Sequence, residues 1–71
     1  MSVYKSLELV GTSAQSFDDA ARVAVKRAGE SMRDLEWMEV VEQRGYINGG
    51  EINEFQVKVR VWFKLEGGQG Q

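Results

Sequence analysis

The sequence predicts an α+β fold in the order β-α-β-β: a three-stranded antiparallel sheet, spatial order 1-3-2, wrapped on one helix. Three observations carry this. Phe55, Val57, Val59, Val61, Phe63 and Leu65 alternate with Gln56, Lys58, Arg60, Trp62 and Lys64, the period-two pattern of a half-buried strand. Phe17, Ala20, Ala21, Ala24, Val25, Ala28 and Met32 recur at three- and four-residue spacing, which gathers them on one side of a helix. Asn48-Gly49-Gly50 precedes the third strand, and all three residues tolerate the positive φ of a tight hairpin.

The first strand is expected over Val3–Val10, with Val3, Leu7 and Leu9 on one side and Tyr4, Ser6 and Glu8 on the other. Gly11-Thr12-Ser13 reads as the turn that ends it. Ser16 is a natural helix N-cap, and Asp18 and Asp19 fall in the first turn, where the helix dipole favours carboxylates. The helix then runs from Phe17 to about Arg33, and its alanine face lets it lie close to a sheet. Gly29 within it costs about 1 kcal/mol relative to alanine, for which close approach to the sheet is the expected compensation.

The second strand spans Leu35–Ile47. Met38 and Val40 share one side, and Trp37, Glu39, Val41 and Gln43 share the other. The hairpin makes strands two and three antiparallel. Strand three has the most regular apolar face and so belongs in the centre. The helix is expected to cover Met38, Val40, Phe55, Val57, Val59 and Val61. The chain reads as one domain over residues 1–66, with 67–71, Gly-Gly-Gln-Gly-Gln, as a flexible tail that has nothing to bury.

A chain of 71 residues is at the lower edge of independent stability and ordinarily needs a disulfide, a metal or association. There is no cysteine, so no disulfide or thiolate site, and no histidine, the commonest neutral metal ligand. No metal site is expected, and a stable homo-oligomer is the remaining way to stabilise the fold. Strand two as an open edge, and Trp37 and Trp62 on the face away from the helix, point the same way. The net charge of −2 disfavours nucleic acid as a general partner. No stretch approaches the roughly 20 apolar residues that span a bilayer, and the first residues lack the apolar run of a signal peptide. A soluble, cytoplasmic protein is expected.

Three residues suggest a site. Trp37 offers a flat stacking surface, Arg44 a fixed positive charge, and Gln56 a paired amide donor and acceptor. Together they suit a flat, heteroaromatic, phosphate-bearing ligand. Each also has a plainer reading: an interface tryptophan, a surface cation and a solvated strand residue. Lys58, Arg60 and Lys64 read as the polar side of strand three. No catalytic residue is assigned, because no histidine or cysteine supplies a base or thiolate. Glu39 and Glu42, three apart on a strand, would not face one way.

The residues Tyr4-Lys5-Ser6-Leu7-Glu8-Leu9-Val10-Gly11-Thr12-Ser13, Leu35-Glu36-Trp37-Met38-Glu39-Val40, Arg44-Gly45 and Phe55-Gln56-Val57 resemble, in order and spacing, those of dodecins, small flavin-binding proteins of bacteria and archaea. The resemblance covers about residues 3–66. It implies the same three-stranded sheet on one helix, assembly into a hollow homo-dodecamer, and flavins held in pairs between the tryptophans of two subunits. Carried over by position, Trp37 is the stacking tryptophan and Gln56 bonds the flavin's polar edge. Arg44 matches the arginine of the bacterial branch, which binds flavin mononucleotide (FMN); the archaeal branch, which prefers riboflavin-like ligands, lacks it. Met38 replaces an aromatic common in bacterial members, and Trp62 a smaller residue. Some bacterial members also carry coenzyme A, which the resemblance therefore leaves as a further candidate ligand.

The chemistry is consistent with this. Stacking a base-like ring on an aromatic contributes roughly 1–3 kcal/mol. One glutamine amide satisfies a neighbouring donor and acceptor on the isoalloxazine edge, and an arginine pairs bidentately with a phosphate. In a tight hairpin Gln56 falls opposite residue 41 to 43, roughly 13–20 Å from Trp37 at about 3.3 Å per residue. That exceeds a ring system on the order of 10 Å long, so each site is expected to draw on more than one chain. Flavins stacked face to face between tryptophans, as the resemblance implies, leave little room for a substrate, so storage of flavin, with its photochemistry quenched by the indole, is favoured over catalysis. A flavin-dependent redox enzyme would instead show substrate-dependent turnover, and a single-strand nucleic-acid module salt-dependent RNA binding.

Overall fold

The computed structural model describes residues 1–65, in the order β1 (Tyr4–Ser13), α1 (Phe17–Ser31), β2 (Leu35–Asn48) and β3 (Glu51–Lys64). The tail expected at 67–71 lies outside the described residues. The sheet has the order β1-β3-β2 and both pairings are antiparallel, as the apolar face of strand three required.

Ser16 caps α1 as expected: its side chain accepts from the Asp19 backbone N–H at 2.9 Å. Ser13 locks the same corner, donating to Asp19 Oδ2 at 2.7 Å and accepting from the Gln15 backbone N–H at 2.8 Å. The helix ends at Ser31, earlier than the expected Arg33. Met32 already has extended backbone, and its N–H closes the last turn on the Ala28 carbonyl. Asp34 then takes a φ of 61° to turn the chain into β2.

Gly11-Thr12-Ser13 does not end β1. These residues continue the strand, opposite Val57, Gln56 and Phe55. Gly11 is glycine for packing: a Cβ there would lie 2.1 Å from the Ala20 carbonyl oxygen and 2.9 Å from the Ala24 Cβ. The close approach expected at Gly29 is therefore found at Gly11 instead. A Cβ on Gly29 would meet only a Leu35 methyl, at 3.9 Å.

The core is Ala20, Ala24 and Ala28 of the helix against Val57, Val59 and Val61 of β3, with Leu7, Leu9, Phe17 and Met38 packed around them. Small residues on both layers let helix and sheet close tightly. The helix sits over β1 and β3 rather than β2. Val40, expected beneath it, is 52% exposed, because it lies on the edge strand beyond the helix's reach. Gly49 and Gly50, with φ of 65° and 82°, make the hairpin turn, and Asn48 still belongs to β2. Among the described residues no helix is long and apolar enough to cross a membrane.

Candidate functional site

The face of the sheet turned away from α1 is built by cross-strand pairing. β3, the central strand, contributes Gln56, Lys58, Arg60 and Trp62. Across from them on β2 stand Arg44, Glu42, Glu39 and Trp37. Simple alternation from Trp37 would have put Gln43 on this face and Arg44 beneath. A bulge at Val41, where the register slips between Val40 and Glu42, reverses that. Gln43 now lies opposite the buried Val57, and Arg44 comes round to the side of Trp37 and Gln56. A second slip between Leu35 and Trp37, leaving Glu36 unpaired, sets Trp37 directly across from Trp62.

All three candidate residues therefore share one face, at its two ends. At one end Arg44 Nε donates to Gln56 Oε1 at 2.6 Å, and the Gln56 amide N–H reaches Glu54 Oε1 at 3.5 Å. This arrangement orients the glutamine amide. Val10, Glu42, Arg44, Gln56 and Lys58 line a shallow groove of about 220 Å³ there, and Lys58 lies 3.7 Å from Glu42. At the other end the Trp37 indole is half exposed, flanked by Tyr4 at 5.0 Å and stacked with Trp62 at 6.2 Å between ring centroids.

Between the ends, Arg60 donates to Glu8 at 2.6 Å and to Glu39 at 3.3 Å, and Trp62 Nε1 donates to the same Glu39 oxygen at 3.0 Å. The Glu8 hydrogen bond, followed by the charges of Glu8 and Glu39, raises the Arg60 pKa further, against the opposing effect of desolvation. Arg60 thus braces the face, tying Glu8 on β1 to Glu39 on β2. The sequence pattern marked Arg60 only as polar surface and set Glu39 and Glu42 on opposite faces; the bulge at Val41 instead puts both on this one. The partnership of Arg60 and Glu39 follows from the register, which the alternation alone does not fix.

The register also measures the site. Trp37 pairs with Trp62 and Arg44 with Gln56, so the two ends are separated by the β3 run from Trp62 to Gln56. At about 3.3 Å per residue that is roughly 20 Å, the upper end of the expected range, although Gln56 stands opposite Arg44 and not opposite residue 41 to 43. The bulge does not shorten it, because the count runs along β3. Among the described residues no group of three or more acidic, cysteine or histidine side chains converges to hold a metal.

The dodecin family model matches residues 3–66. The dodecin of Thermus thermophilus is 45% identical over 64 residues, covering 90% of this chain and 93% of that protein. The calcium dodecin of Mycobacterium tuberculosis is 36% identical over 69 residues, covering 97% of each. Among solved structures, the dodecin of Streptomyces davaonensis superposes with a TM-score of 0.86 at 40% identity, covering 92% of this chain and 96% of that one. The resemblance read from the strand motifs is borne out over the whole described fold.

Proposed function

The chain belongs to the dodecin family of small, oligomeric, ligand-binding proteins, and we propose that its ligand is a flavin, with FMN the best fit. The observation that carries this reading is the composition of the outer face: a half-exposed indole at one end and an oriented amide beside a guanidinium at the other. An isoalloxazine ring stacks on Trp37. Gln56 reads its polar edge. Arg44 uses Nε on Gln56 and keeps its terminal nitrogens for a ribityl phosphate.

Trp37 and the Arg44–Gln56 pair fit one ligand only as parts of different subunits, because roughly 20 Å separates the stacking plate from the amide within one chain. A homo-dodecamer supplies the neighbours. It also covers the apolar side chains that one chain leaves open, among them Val10, Val40, Ile47 and Ile52. The assembly stores and sequesters flavin in the cytoplasm, and electron transfer from the indole quenches the excited ligand before it reacts with oxygen. Binding is the activity and catalysis is not, since a flavin enclosed between tryptophans leaves little room for a substrate.

The test is the absorbance of the purified protein, followed by mass spectrometry of whatever it releases. A flavin spectrum and FMN in the released fraction are expected. Riboflavin, flavin adenine dinucleotide or coenzyme A would be recognised by mass. A colourless protein that gains no flavin on titration, or that takes up only calcium, would overturn the reading. Light scattering at micromolar concentration is expected to give a dodecamer, and a folded monomer there would remove the shared site.

A further inference from the structure

Trp62 plays no part in the flavin reading above, yet it is tied closely to Trp37. The two indoles stack with centroids 6.2 Å apart and planes 27° from parallel. Trp37 remains 50% exposed, so Trp62 backs it while leaving surface for a ligand. The indoles differ in their electrostatic surroundings. Trp62 Nε1 donates to the Glu39 carboxylate at 3.0 Å, and Glu39 is held in place by Arg60, which also grips Glu8. Within the hydrogen-bonded cluster that holds Trp62, Glu8 and Glu39 against Arg60 leave one net negative charge. A positive charge on the Trp62 indole is therefore favoured by a carboxylate in direct contact with its N–H. Among the described residues the Trp37 N–H makes no such bond to a carboxylate.

We infer that Trp62 is a second electron donor behind Trp37, so that an excited flavin on Trp37 discharges through a two-indole relay. This rests on the flavin reading and extends it to a residue outside the binding set. Trp37 gives one electron to the light-excited flavin and becomes a radical cation. Trp62 then gives one electron to Trp37, which is restored. Trp62 carries the positive charge while its N–H proton stays in the hydrogen bond to Glu39. Finally Trp62 recovers one electron from the flavin. Each group returns to its starting state, no bond is made or broken, and the absorbed energy leaves as heat. Moving the charge one indole further from the flavin slows its return, so the relay adds a late phase to the recovery.

Transient absorption of the FMN-loaded oligomer tests this, with the indole radical cation as the signal. The wild-type protein is expected to recover in two phases, and Trp62→Phe to lose the slow one. Phenylalanine keeps a ring against Trp37, so FMN affinity is expected to stay within about threefold. Glu39→Gln keeps an acceptor for the Trp62 N–H but removes the charge. It is expected to shrink the slow phase, and it serves as the second variant if Trp62→Phe does not assemble. Recovery curves that superimpose for wild type and both variants, with FMN bound in each, would overturn the relay and leave the flavin site standing. Failure of the wild-type protein to bind FMN would instead overturn the flavin reading, and the relay with it.

Discussion

The two faces of this one sheet obey different rules. On the helix side Val57, Val59 and Val61 are closed against Ala20, Ala24 and Ala28, and what matters is volume. On the other side Trp37 is half exposed and contacts run between strand neighbours: Arg44 to Gln56, Arg60 to Glu8 and Glu39, Trp62 to Glu39. There what matters is which residue stands across from which. The bulges in β2 show the contrast. They leave the buried valines of β3 in place, yet they decide that Trp37 meets Trp62 and Arg44 meets Gln56. On the proposed reading, stability and recognition would then be separable on opposite sides of a thin layer.

The largest effect is expected from the helix side. Gly11→Ala drives a methyl into the Ala20 carbonyl, where backbone must move. It is expected to lose about 3 kcal/mol or more in urea unfolding, at the upper end of overpacking costs. Unchanged stability would show that this face is not limited by volume. Trp37→Ala is expected to cost flavin binding about 1–3 kcal/mol while changing the unfolding midpoint little, and to leave any bound flavin more fluorescent. If flavin affinity survived while stability fell, Trp37 would belong with the core in its energetics.

Arg44→Ala is expected to weaken FMN by about 1.5–3 kcal/mol and riboflavin far less, since only FMN carries the phosphate. Titrating the variant with both ligands decides it, and equal losses would take Arg44 out of the phosphate role. The smallest effect is expected from Arg60→Met. Arg60 and both its carboxylate partners are substantially exposed, so the unfolding midpoint is expected to stay close to that of the wild type. A larger shift would mean that the outer face carries fold stability as well.

Much of this fold was legible in the residues, because the strongest local patterns agreed with the packing. Alternation from Phe55 to Leu65 marked the central strand, the alanine repeat marked the helix, and Asn48-Gly49-Gly50 marked the hairpin. Gly11-Thr12-Ser13 misled for a physical reason. Glycine in a turn and glycine under a closely packed helix look the same in sequence, and only the position of Ala20 separates them. The faces of Gln43 and Arg44 were illegible beyond Val41, since nothing in the pattern announces an unpaired residue on an edge strand. Trp37, Arg44 and Gln56 rose above ordinary surface residues through the family spacing. Their own patterns leave the plainer readings open. The bracing of Trp62 by Glu39 and Arg60 depended on a register that alternation does not fix.

The most direct measurement is complementation between two defective chains. Trp37→Ala and Gln56→Ala are co-expressed, mixed oligomers are isolated, and FMN bound per chain is measured. Each variant alone is expected to bind poorly. The mixture is expected to regain a fraction of tight sites, each taking its tryptophan from one chain and its glutamine from another, because roughly 20 Å separates them within a chain. Oligomers proved to be mixed, yet without any tight-binding fraction, would contradict a site shared between subunits.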